Sequence, residues 1–268
     1  MLLKISHLTR YRYEQPVRYA LQQLRVTPKS GAGQEIRAWD VTIEGGRQEA
    51  EFTDQFNNRV LLVSANPGER EIAIHCTGEV ETTDLHGILG VTRGFAPLWF
   101  FSRPTALTTP GEGIGRLVNA LQHETFDGDV ALLHRLSTLI GEVAPYRTGE
   151  THAGTTAEEA LATANGVCQD HAHIFLAAAR SLGFPARYVS GYLMMNDRID
   201  QEATHAWAEV CLADLGWVGF DVSNGISPDD RYVRVATGLD YRDAAPIVGF
   251  RLGEGGECLD VTLQVQQQ

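Results

Sequence analysis

The stretch ANGVCQDHAHIFLAAARSLGFPARYVSGY, Ala164 to Tyr192, opens with a thiol, a carboxylate and two imidazoles close together: Cys168, Asp170, His171 and His173. It then becomes an apolar helix pattern. Ile174, Phe175, Ala178, Ala179 and Leu182 make one helical stripe, and Gly183 followed by Pro185 ends it. Cys168 therefore falls in the first turn, where unpaired N–H groups and the positive end of the helix dipole favour an anion. The same N–H groups can hold the oxyanion of a tetrahedral intermediate. Taken alone, a free cysteine is most often a small buried hydrophobe. A nucleophile needs a base to take its proton, and the base needs a group to fix its tautomer.

HAWAEVCLADLGWVGFDVSNG offers both. His205 begins one strand pattern, Asp221 ends the next, and ADLG supplies a turn. If the two residues face each other directly, the turn centres on residue 213, with an odd-length loop over Leu212 to Asp214 or Cys211 to Leu215. A lone strand histidine is more often a partly buried residue with a satisfied hydrogen bond, and an aspartate after a strand more often caps a turn. Here the pattern also provides the geometry a nucleophilic thiol needs, with His205 as a candidate base for Cys168 and Asp221 as its orienting carboxylate.

The elements that must position these residues divide into two halves. Up to about Leu98 the chain consists of short β-type runs, among them RAWDVTIEGG, RVLLVSANPGE and REIAIHCTGEVETTD. In the last of these Ile72, Ile74, Cys76 and Val80 alternate with mostly polar neighbours. This half reads as a β-sandwich. A segment with three prolines, from Pro97 to Pro110, suits a linker. Leu117 and Leu121, then Val130, Leu133, Leu136, Leu139 and Ile140, follow at helical intervals, with Asp129 placed to cap the second helix. After Gly149 comes a polar loop, then the helix of Cys168, then strand patterns through RYVSGYLMM, HAWAEVCLA, GWVGFDV and LDVTLQV. The expected architecture is a β-rich domain over 1–104 and an α+β domain over 105–268, a helix packed on an antiparallel sheet.

Composition narrows the setting. At 268 residues, 43% hydrophobic and 21% charged, the chain can bury a full core without staples. Its four cysteines form no CxxC pair, which argues against a disulfide scaffold and fits a reducing cytoplasm. No run approaches a membrane span and the first residues lack a signal core. A formal charge of -12 without a basic stripe argues against nucleic acid as a partner.

GVCQDHAHIFLAAARSLGFPARYVSGY, HAWAEV and GWVGFDVSNG closely resemble the motifs of the transglutaminase-like superfamily, in particular its bacterial branch of two-domain, cysteine-protease-like members. HLTRYRYEQPVRYALQQLRVTPKS is similar to the opening of that branch's N-terminal domain, and RYVRVATGLDYRDAAPIVGF to its last core segment. The resemblance implies a β-rich domain before a papain-like α+β core, with Cys168, His205 and Asp221 as the triad. It implies thiol-dependent acyl transfer on peptide or side-chain amides, with hydrolysis favoured by analogy with the branch. Protein-glutamine transglutaminase and a noncatalytic peptide-binding module are the alternatives. A peptide or protein is the expected partner, and the oligomeric state is left open.

The chain departs from the animal transglutaminases, which place a tryptophan upstream of the cysteine to stabilise the oxyanion: no tryptophan lies between Trp99 and Cys168. Besides the Cys168 N–H, candidates for the second donor are Tyr146, Gln169 and Asn165. Asp170, His171 and Trp207 are further candidates for residues around the site. No loop has calcium-ligand spacing, and Cys168, His171 and His173 are badly spaced for zinc on a helix. No metal or other cofactor is expected. Gly111, Gly113 and Gly115 in PGEGIG imitate a phosphate loop but lack the following Lys-Ser/Thr, and read as a flexible start to a helix. Trp217 is expected in the core or a pocket wall, and Glu209, of the same strand parity as His205, in a structural role.

Overall fold

The computed structural model describes residues 1–91, 94, 96–201, 203–252 and 254–268. The first half contributes β1 (Leu2–Tyr13), β2 (Tyr19–Thr27), β3 (Gln34–Glu44), β4 (Gly46–Thr53), β5 (Arg59–Ala65), β6 (Glu71–Thr82) and the short β7 (Ile88–Gly90). The second half contains a 3-10 turn (Leu98–Ser102), α1 (Glu112–Gln122), α2 (Asp129–Val143), α3 (Ala157–Thr163) and α4 (Cys168–Ser181). It continues with β8 (Ala186–Leu193), β9 (Asp200–Gln201), β10 (His205–Leu212), β11 (Gly216–Phe220), β12 (Tyr232–Gly238), α5 (Tyr241–Ala244), β13 (Ile247–Leu252) and β14 (Glu257–Gln267).

The strands form three antiparallel sheets, ordered β3-β6-β1-β14-β9, β13-β2-β5-β4 and β12-β8-β10-β11-β7. The first two make the expected sandwich. Leu24, Val26, Leu61 and Val63 of one sheet pack against Ile72, Ile74 and Cys76 of the other, so the alternation in β6 reads out directly as a buried face. The third is the core sheet, and α4 packs on it through Ala206, Ala208 and Val210 of β10.

Two features differ from the sequence reading of the second half. The closing strands β13 and β14 belong to the sandwich: β14 pairs with β1 from Leu3↔Gln267 to Tyr13↔Glu257, and β13 pairs with β2. Their alternation marks them as strands but not their sheet. Leu263 and Val265 decide it by packing with Leu3, Ile5 and Val80 against Tyr192 and Val233 of the core sheet. Conversely β7, from the first half, pairs with β11. All five α-helices among the described residues lie after residue 105, but strands occur on both sides of it and each half lends strands to the other's sheets.

The second difference is in the helices. α4 is buried all round rather than along one stripe, from Asp170 to Arg180, because α1, α2 and α3 cover the side that the sheet leaves open. Gly183 takes φ 94° just past its end, as a helix-terminating glycine should. α3 occupies part of the expected polar loop. Its start is a capping box, Thr156 Oγ1 accepting from Glu159 N–H and Glu159 accepting from Thr156 N–H. Asp129 lies in the first turn of α2, and Gly128 occupies the cap position. The glycine-rich PGEGIG does start a helix: the N–H groups of Gly111, Gly113 and Ile114 donate to the Glu158 carboxylate at 2.7, 2.8 and 2.8 Å. An internal carboxylate from α3 therefore occupies this anion-binding helix end.

Candidate active site

Cys168 is the first residue of α4, half-buried. The turn before it is held by Asp170, whose Oδ2 accepts from Val167 N–H at 2.8 Å and from the Thr151 hydroxyl at 2.7 Å. Gly166 permits this close turn, since a Cβ there would stand 2.8 Å from the Asp170 Cβ. The first-turn N–H groups of Cys168 and Gln169 have no intrahelical acceptor and are available to an oxyanion.

His205 begins β10, opposite Gly191 of β8. Its Nε2 donates to Asp221 Oδ2 at 2.6 Å, which leaves Nδ1 for its hydrogen bond with Cys168. The ring is buried. Burial alone would push its pKa down, but the hydrogen bonds and charges of Asp221 and Cys168 outweigh burial and hold the pKa at about 10. His205 is thus an imidazolium across neutral pH, with Cys168 on one side and Asp221 on the other.

The strand register differs from the expected one by a single step of the same parity. β10 and β11 pair as Ala208↔Phe220 and Leu212↔Gly216, so the loop is Ala213 to Leu215, centred on Asp214, and Asp221 lies diagonally from His205 rather than directly opposite. The odd loop length keeps both on one face, and a diagonal neighbour is within reach of an imidazole. Asp221 is itself buried just beyond β11, where it bridges with Ile226. Burial would raise its pKa, but the His205 bond and charge and donors from Asn224 and Tyr232 lower it.

Several expected neighbours take other places. His171 donates through Nε2 to the Ala144 carbonyl at 2.7 Å, so its Nδ1 accepts from the Ser223 hydroxyl at 2.9 Å. Burial lowers its pKa. Both ring nitrogens are engaged, and His171 ties α4 to the chain ahead of α3 and to the Asp221 loop. His173 is fully buried, accepts from Tyr241 N–H at 3.1 Å and is pushed down to about 4 by burial. Cys168, His171 and His173 therefore face three different surroundings. The Asn165 amide donates to the Thr163 carbonyl, and the Gln169 amide reaches the Ala153 carbonyl at 3.3 Å. Tyr146 is half-exposed beside His171, their ring centroids 6.0 Å apart, and its hydroxyl pKa is raised by burial and then by Cys168 and Asp221. Of the three donor candidates, Asn165 and Gln169 direct their amides to backbone carbonyls, whereas the Tyr146 hydroxyl lies within the field of Cys168.

The family model described as "Transglutaminase-like superfamily" matches residues 119–222, a segment that contains Cys168, His205 and Asp221. A second, "Bacterial transglutaminase-like N-terminal region", matches residues 3–81. The chain belongs to the transglutaminase-like superfamily. Among curated proteins, an uncharacterised protein of Mycobacterium leprae (strain TN) is 28% identical over 279 residues, 98% of either chain. Another, from Mycobacterium tuberculosis (strain ATCC 25618 / H37Rv), is 28% identical over 289 residues, 98% of this chain and 91% of its own. The solved structure of a candidate cysteine protease from Cytophaga hutchinsonii shares the fold, with a TM-score of 0.77 at 22% identity over 99% of this chain and 90% of that one.

In this transglutaminase-like chain, two residues beside Asp221 escaped the sequence reading. The Tyr232 hydroxyl donates to Asp221 Oδ2 at 2.8 Å, and the Asn224 amide donates to the same oxygen at 2.7 Å. Asn224 carries a usable signal, because DVSN places an amide three residues after a carboxylate, a turn-closing pattern. Tyr232 has none, since it arrives from another strand. Tyr232 and Trp207 also hold the His205 ring in place. The Trp207 ring stacks on His205 (6.2 Å, 27°) and meets Tyr232 edge-on (5.4 Å, 85°). Gly191 makes room for that ring, since a Cβ there would lie 2.8 Å from Trp207 Cη2. Glu209, fully buried, accepts from Arg187 Nε at 2.7 Å and Arg234 Nε at 2.8 Å, joining three strands of the core sheet.

Proposed function

We propose that this member of the superfamily is a thiol-dependent enzyme that transfers acyl groups from peptide or side-chain amides, with water as the usual acceptor: a cysteine protease or amidase. The observation that carries this reading is geometric: the buried His205 ring is hydrogen-bonded on one side to Asp221 at 2.6 Å and on the other to Cys168.

The chemistry follows from those positions. Cys168 sulfur attacks the amide carbonyl carbon, and the carbonyl electron pair moves to oxygen, where the first-turn N–H groups of α4 stabilise it. As the oxyanion collapses, His205 gives its proton to the departing nitrogen and the C–N bond breaks, leaving a thioester and a free amine. His205, now neutral, takes a proton from water. The hydroxide adds to the thioester and expels the Cys168 thiolate, so the acid is released and His205 is protonated again. Asp221 keeps Nε2 protonated throughout, and Asn224 and Tyr232 fix its oxygens as acceptors. A cytoplasmic setting is part of this proposal, since a reducing compartment preserves such a thiol.

The test is a peptide-amide probe with an electrophilic carbonyl, followed by intact-mass and peptide mapping. Covalent attachment at Cys168 in the wild type and none in Cys168→Ala is expected, with water releasing the acyl group faster than added primary amine. Capture mainly by amine would make the enzyme a transglutaminase. Absence of any adduct, together with reversible peptide binding, would make it a noncatalytic binding module.

A further inference from the structure

We infer that the space between the sandwich and the core sheet is a binding site for a small amphiphilic anion, one that joins a carboxylate or phosphate to an apolar body. Two chambers meet there. The first, about 530 Å³, is walled by Phe56, Leu98, Phe101, Cys211 and Trp217. The second, about 340 Å³, is polar and lined by Lys29, Arg187, Arg234, Asn57 and Thr237 among others. Phe56 and Arg187 belong to both walls, so a ligand can lie across the two. Both volumes fall in the range of small-molecule sites, which gather at such junctions and combine apolar walls with a few placed polar groups.

The charge selects the ligand. The whole chain has 34 acidic residues against 22 Lys and Arg, yet among the described residues that line these chambers there is no Asp or Glu and there are three cations. Carboxylates stand next door: Glu209 holds Arg187 and Arg234 in place and, with Asp229, lines an adjoining cleft that shares Ala32, Gln34, Leu89 and Arg234 with the polar chamber. The Arg187 guanidinium carbon lies over Trp217, 3.9 Å from the ring centre, at the boundary of the apolar chamber. Lys29 donates to the carbonyl and side-chain oxygen of Asn57, both neutral acceptors. Burial weighs against the charges on Arg187 and Lys29, and an arriving anion would offset that cost. Wrapped by apolar walls, an anionic head group here gains charge-assisted hydrogen bonds while its tail leaves water.

Cys211 provides the readout, because its thiol lines the apolar chamber whereas Cys258 is exposed on β14. The full chain is labelled with N-ethylmaleimide in the presence of octanoate, octyl phosphate, 1-octanol or octylammonium, and affinities are measured by calorimetry. Either anion should slow Cys211 labelling several-fold while Cys258 labelling is unchanged, and the tighter of the two identifies the head group. Lys29→Gln, which leaves the Glu209 ion pairs intact, should weaken anion binding about tenfold, the loss of one charge-assisted contact. Arg187→Gln is the stronger perturbation but strands Glu209, so Lys29→Gln decides. Protection by 1-octanol or octylammonium equal to that by the anions would overturn the charge selection. Absence of protection by any of the four, or an unchanged anion affinity in Lys29→Gln, would overturn the site.

Discussion

Replacing Asp221 by Asn removes one of the two charges that hold His205 as an imidazolium. The ring stands at about 10 against an ordinary value of 6.5. At roughly 1.4 kcal/mol per pH unit that difference is worth about 5 kcal/mol, achieved against burial. Asp221 and Cys168 each contribute a hydrogen bond and a charge. Because burial opposes that rise, the gains exceed it; if the carboxylate supplies about half of them, its loss removes at least about 2.5 kcal/mol and brings the His205 midpoint down by at least about two units, to about 8 or below. Turnover should fall further than protonation alone requires. An amide can turn its NH2 toward Nε2–H, leaving two donors face to face, and the corresponding change in serine-protease triads costs about 10⁴ in rate. The direct assay follows the His205 ring shifts by NMR from pH 5 to 11 in both proteins. Amide turnover is measured beside it, and circular dichroism checks the fold. A folded Asp221→Asn protein with its His205 midpoint still near 10 and wild-type turnover would refute the reasoning.

The same pairing makes stability depend on pH. Because the folded-state value of His205 lies above its unfolded one, its contribution is complete below about 6.5 and disappears as pH rises through about 10; urea midpoints measured along that interval should fall less in Asp221→Asn than in the wild type. Tyr232→Phe deletes one donor to Asp221, so the contribution of that lowered carboxylate, present above its ordinary range and lost on acidification, should fail at higher pH in acid unfolding. Brief substoichiometric iodoacetamide should label Cys168 before Cys76, Cys211 or Cys258, as read by peptide mapping, whereas preferential labelling of another thiol would remove Cys168 from its role. Dialysis against a strong chelator should leave folding and Cys168 labelling unchanged.

The legible parts of this molecule were those with local signatures. Cys168 at a helix start could be read from the spacing of Ile174, Phe175 and Ala178 and from Gly183, and these depend on residues within a few turns. The meeting of His205 with Asp221 followed from parity, which survives a shift of two residues; the register itself did not, because ADLG can close a turn about residue 213 or 214. α3 was lost to the polar look of residues 150–156, although Thr156 and Glu159 form a capping box. Tyr232 and the sheet membership of β14 depend on contacts between segments far apart in the chain. Alternation of Leu263 and Val265 says that one face is buried but names no partner.

That distance has a cost during synthesis. β1 finds β6 once residue 82 is made, but its other edge waits for residues 257–267. At roughly 5–20 residues per second, that edge stays open for about 10–40 s on the ribosome. An open row of N–H and C=O groups invites pairing with a wrong strand, and Lys4, Ser6, Arg10 and Arg12 along β1 place polar and basic side chains on it during that interval. Residues 257–267 are therefore the ones that close an edge left open since residues 2–13 were made.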